Sequence, residues 1–239
     1  MSNALAYAVM AALGNVIGAL AVTRRAVHEL AVIEHAIAFG AGFMLAVALV
    51  EVLPEAFARS GDAAPALVLA GYLAVHLTQH TLTPHFHFGE ETHAVNPTAG
   101  PSALVGLLLH TFFDGVAIAS AFLVRPSLGM LVFIAIFLHK LPEGVTISSL
   151  YLAVGRSRRQ AIGAGALLGL ATLIGVVLTD HLGFLVRHGL AISAGVTIYV
   201  AASNLVPEFQ GKRGWASPIA FIGGAAAFFV TKMILERAT

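Results

Sequence analysis

Long apolar runs alternate with short polar breaks along this chain. A hydrocarbon core of about 30 Å takes roughly 20 helical residues to cross. Eight runs meet that length: residues 4–23, 34–57, 65–82, 101–124, 128–154, 160–180, 187–208 and 216–236. The breaks carry Arg, Gly, Pro or Asp, as turns do. The longest interruption, 83–100, has neither a helical nor a strand period and reads as a loop; it holds His85, His87 and His93. The first run has no basic segment ahead of it, and Arg24 and Arg25 follow it, so it reads as a retained span and not a cleaved signal.

Composition sharpens this into an all-α integral membrane protein. Of 239 residues 58% are hydrophobic and 10% charged, which leaves no material for a separate water-facing domain. Residues 1–239 therefore read as one transmembrane unit. A net charge of +1 gives no footing for nucleic acid. The absence of cysteine removes disulfides and thiolates, so a metal would have to be held by His, carboxylate, Asn, Met or water.

Lys and Arg set the orientation. The loops after spans 1, 5 and 7 hold Arg24 and Arg25, then Arg156, Arg158 and Arg159, then Lys212 and Arg213. The other side holds only scattered Arg59, Arg125, Arg187, Lys232 and Arg237. The clustered loops are placed in the cytoplasm, with the 83–100 loop, and both termini outside. The short single-module chain points to a bacterial inner membrane.

Two internal repeats are visible. "LLLHTFFDGVAIAS" (107–120) returns as "IFLHKLPEGVTISS" (136–149), matching His110 to His139 and Asp114 to Glu143. "AGFMLAVALVEVLPE" (41–55) returns as "AGVTIYVAASNLVPE" (194–208). Each pair falls on spans that cross in opposite directions. The chain thus reads as a 3+2+3 arrangement, with spans 1–3 and 6–8 as inverted repeats around a central pair, spans 4 and 5. Inverted repeats about a midplane site mark secondary transporters.

Charges inside spans 4 and 5 call for a partner, since an uncompensated charge at mid-bilayer costs several kcal/mol. Residues i and i+4 share a helix face, so His110 pairs with Asp114 and His139 with Glu143. Two imidazoles and two carboxylates make a four-ligand site for a divalent cation, suited to Zn²⁺ and tolerant of Fe²⁺, Mn²⁺, Co²⁺ or Cd²⁺. Pro142 lacks an N–H and crowds the carbonyl of residue 138, which predicts a kink beside the site.

"HTFFDGVAIA" and "HKLPEGVTIS" resemble the signature helices of the ZIP (zinc/iron-regulated transporter-like) family, as "GFMLAVALVEVLPEAF" and "AGVTIYVAASNLVPEF" resemble that family's second and seventh spans. The resemblance implies a homodimeric carrier that brings Zn²⁺ or similar ions into the cytoplasm, with metal held between spans 4 and 5. It also suggests Met44 as an additional ligand. Many relatives of this kind hold a second metal, using an Asn, an acid and a Glu where this chain has Thr111, Lys140 and, with "LATLIG" aligned, Thr172. None of the three is a good ligand, which implies a single metal with the Lys140 ammonium near the second position.

Towards the ends of the same helices, Glu51 and Glu55 are placed on an outer pathway. Asn204 and Glu208, their repeat mates, and the i, i+4 pair His76 and His80 are placed on an inner pathway; His85, His87 and His93 form a weak loop site for metal. The competing function is a membrane-embedded metal-dependent hydrolase in which the same ligands activate water. Such an enzyme has no need of inverted repeats or of acids at both mouths.

Overall fold

The computed structural model describes residues 2–23, 30–82, 99–210 and 214–238. They form α1 (Ser2–Thr23), α2 (Leu30–Val47), α3 (Leu53–Ser60), α4 (Ala64–Leu82), α5 (Ala99–Val124), α6 (Pro126–Ala153), α7 (Arg158–His181), α8 (Gly183–Tyr199), α9 (Pro207–Gln210) and α10 (Ala216–Ala238). There is no strand among the described residues. Seven helical runs are long and apolar enough to cross a membrane. His85, His87 and His93 lie outside the described residues, and α5 begins at Ala99, so the last two positions of the 83–100 loop are helical.

Predicted spans 2 and 3 fall within one helical run, Glu34–Thr81. The polar "SGDAA" break was read as a stop, yet a 3₁₀ turn over Gly61–Ala63 keeps the backbone helically bonded through it. Gly61 takes φ 54°, a left-handed value that a residue without Cβ adopts freely. The helix is also continuous through Pro142, from Pro126 to Ala153.

Two π-helical turns interrupt otherwise regular helices, Ala48–Val52 and Val200–Leu205. Their cause is local. Pro54 and Pro207 cannot donate an N–H, and each ring crowds the carbonyl four residues back. The backbone widens just ahead of each: Leu53 N–H donates to Ala48 O, and Val206 N–H donates to Ala201 O. The two sets of residues are 153 positions apart throughout, the same offset as the 41–55 and 194–208 repeat.

Helix contacts repeat in the same way. The α2–α10 crossing is tight because a methyl on Gly42 would strike Phe221 O and one on Gly224 would strike Phe39 O. At the α4–α8 crossing, Gly195 faces Val68 O and Gly71 faces Ile192 O, each 153 positions from its counterpart. The crossing of α1 with α6 sets Gly18 against Leu141 O and Gly144 against Asn15 O; that of α5 with α7 sets Gly175 against Phe112 O and Gly115 against Thr172 O. Gly144→Ala therefore forces two backbones apart and is expected to destabilise the protein by about 1–3 kcal/mol. Gly163→Ala, which meets open space on α7, serves as its control. The fall in unfolding midpoint checks this; equal midpoints for the two variants would contradict it.

These crossings set α1, α5, α6 and α7 together, with α2, α8 and their partners α10 and α4 alongside. The main apolar core fills the space between them, and includes Phe43, Met44, Ile118, Ile136 and Tyr199. Its position leaves the polar side chains of α5 and α6 screened from lipid on every side.

Candidate metal centre

His110 and Asp114 lie one turn apart on α5, and His139 and Glu143 one turn apart on α6. Helix period turns each pair to one face, and the α5–α6 packing brings the faces together. One ligand atom from each of the four lies within 4.8 Å of all the others, and all four side chains are buried. Zn²⁺ binds nitrogen and oxygen at about 2.0–2.2 Å, which puts tetrahedral ligands about 3.4 Å apart. Small rotamer shifts close the remaining gap.

The contacts inside the cluster are informative. His139 Nε2 is 3.3 Å from Asp114 Oδ2, and His110 Nε2 is 3.4 Å from Glu143 Oε1. His139 Nδ1 lies 3.2 Å from Ala135 O, where an Nδ1–H donates. That bond turns the Nε2 lone pair into the cluster, facing a carboxylate, an arrangement that suits a cation between them. His110 Nδ1 is buried without a hydrogen-bond partner, so nothing comparable orients that ring.

Lys140 is fully buried in the same place. Its Nζ stands 2.7 Å from Asp114 Oδ2 and 2.8 Å from Glu143 Oε2, bridging the two carboxylates. Thr111 Oγ1 is 2.7 Å from Glu143 Oε1 and 2.8 Å from Leu107 O. A hydroxyl has one proton, so it donates to one of these at a time; donated to Glu143, it orients the carboxylate. Thr111→Val keeps the shape and removes that donor, and is expected to weaken metal binding by about tenfold; a titration against a competing chelator reads it, and unchanged affinity would contradict it. Thr172 does not join the cluster: its hydroxyl turns back towards Leu168 O on its own helix. Asn15, which the sequence pattern passed over, is fully buried on α1 with its carbonyl against Gly144, next to Glu143, and its amide atoms have no hydrogen-bond partner.

The remaining candidates lie elsewhere. Met44 is buried in the apolar core. Glu51 is buried with one carboxylate oxygen on Arg125 and the other on Lys232. Glu55 Oε2 is 3.4 Å from Arg125 Nη1. These two acids are thus engaged with cations of the chain itself. Asn204 sits in the second π-helical turn and Glu208 on α9, both half-buried. The rings of His76 and His80 are stacked with centroids 4.1 Å apart, and His80 Nδ1 contacts His76 O at 2.9 Å, so the pair packs face on and does not converge on one point.

A family model described as ZIP Zinc transporter matches residues 89–232, more than half of the chain and all four clustered ligands. No curated protein matches the chain.

Proposed function

From the premise that this chain belongs to the ZIP zinc transporter family, whose members move divalent metal, we propose that it is a secondary carrier with Zn²⁺ as its main cargo, bound one ion at a time by His110, Asp114, His139 and Glu143. The buried convergence of these four side chains carries the reading. Fe²⁺, Mn²⁺ and Cd²⁺ fit the same nitrogen and oxygen donors and would compete. Lys140 fills the second cation position and keeps the site mononuclear, with Thr111 as a positioning residue and Thr172 as a remnant.

The architecture we infer has eight spans. A run of 48 residues would reach about 72 Å if straight, more than twice a bilayer core. The Gly61 turn divides it into spans 2 and 3. Spans 1–3 and 6–8 are then inverted repeats around spans 4 and 5, which are α5 and α6. The paired π-helical turns and paired glycine crossings support this. Such symmetry gives a carrier two equivalent closures, one on each side of a fixed site, and hence alternating access. The Arg and Lys loops place the termini outside, in a bacterial inner membrane, with transport inward. Asn204, Glu208, His76 and His80 lie along the inner route, and the histidines of the 83–98 segment receive metal beyond it. We also propose a homodimer, with Met44 as a fifth donor in part of the cycle.

Radioactive zinc uptake into proteoliposomes tests the proposal. Saturable uptake, inhibited by Cd²⁺, Mn²⁺ or Fe²⁺, is expected. Tightly bound zinc with no uptake would overturn it and would favour hydrolysis at the same ligands.

A further inference from the structure

The two ends of the protein share a backbone design and differ in charge. At the offset of 153 that relates the π-helical turns and the glycine crossings, Glu51 corresponds to Asn204 and Lys232 to Gln79. At one end these positions hold an acid and a base in direct contact. At the other they hold two neutral amides, which form no ion pair with one another. The Glu51 end has a further cation. Arg125 is the single residue between α5 and α6, in extended conformation at φ −161°, and it binds Glu51 and Glu55. The α5–α6 junction exists at this end only, so Arg125 has no counterpart at the other.

The connectivity gives this cluster its mechanical meaning. α5 and α6 carry all four metal ligands. Glu51 lies in the π-helical turn that follows α2, and Lys232 lies on α10, which crosses α2. Arg125 therefore ties the tip of the ligand-bearing pair to the α2–α10 pair. Glu51 is buried while both of its oxygens are held. A carboxylate taken out of water is strongly disfavoured once it loses its partners. Any movement of α5 and α6 away from α2 at this end must break these contacts.

We infer that Glu51, Arg125 and Lys232 form an outer clamp, and that its lack of a counterpart at the Asn204 end makes the resting protein closed outside and open to the cytoplasm. Glu51 then acts as a gating residue, and Arg125 as the residue that couples the gate to the metal ligands. The inference rests on the inverted-repeat and orientation readings above, but not on transport itself. A population shift needs only that the clamp be present in one state and broken in the other.

Because the chain has no cysteine, single reporters can be introduced cleanly. Ala48→Cys and Ala201→Cys lie 153 positions apart, both fully buried and both in the π-helical turns. Membrane-impermeant thiol reagents would be applied from outside to the first and from inside to the second, in oriented vesicles. Glu51→Gln or Arg125→Gln is expected to raise the outside labelling rate of the Ala48→Cys reporter on the order of tenfold and to lower inside labelling of the Ala201→Cys reporter. An unchanged outside rate would overturn the clamp. So would a rise at both reporters, which would mean loosened packing and not gating. The converse graft, Asn204→Glu with Gln79→Lys, should slow inside labelling of the Ala201→Cys reporter; no change there would also overturn the inference. Labelling needs no metal flux, so its failure is distinguishable from a failure of zinc uptake.

Discussion

Lys140→Ala should destabilise the metal-free protein by about 3–5 kcal/mol, the usual cost of stripping one partner from a buried ion pair. The side chain is fully buried and bridges Asp114 and Glu143, so its loss leaves two carboxylates facing each other in a low-dielectric interior. A divalent cation can replace the missing charge. The variant should therefore regain most of its stability when zinc is added, while the wild type gains less. Unfolding midpoints with and without zinc read both effects. Lys140→Asp goes further: it converts the ammonium position into a ligand, and two metals per chain are expected. A single metal in that variant, or a Lys140→Ala protein as stable as wild type without zinc, would show that Lys140 does not stand in for a cation.

His139→Ala is expected to weaken zinc binding by more than about a hundredfold, since loss of an outer partner alone costs 10–100-fold. His139 is the better oriented of the two imidazoles, with Nδ1 held on Ala135 O and Nε2 aimed at Asp114. Its removal leaves Asp114 paired with Lys140, so the fold should persist. A chelator-competition titration with an unfolding control separates the two. Unchanged affinity in a folded variant would remove His139 from the site.

Much of this was legible in the sequence. The apolar runs locate the membrane helices because lipid imposes a length, and the i, i+4 spacing of His110 with Asp114 and of His139 with Glu143 shows which side chains share a face. Other features were not legible because they depend on contacts between distant segments. Glu51 reads as a solvated acid near a helix end, and only packing brings Lys232 and Arg125 onto its two oxygens. Thr111 reads as a missing ligand, whereas its hydroxyl reaches Glu143. The merger of predicted spans 2 and 3 turned on hydrogen bonding through Gly61–Ala63, which composition does not report. The π-helical turns had a local signal, a Pro-Glu at both repeat ends, that pattern reading took as a helix terminus.

X-ray absorption at the zinc edge, with metal stoichiometry on the same sample, tests the central claim most directly. One zinc per chain is predicted, with two imidazole nitrogens and carboxylate oxygens at about 2.0–2.2 Å; a thioether shell would add Met44. A zinc without imidazole ligation, or a spectrum that is unchanged in the His110→Ala, His139→Ala double variant, would contradict it.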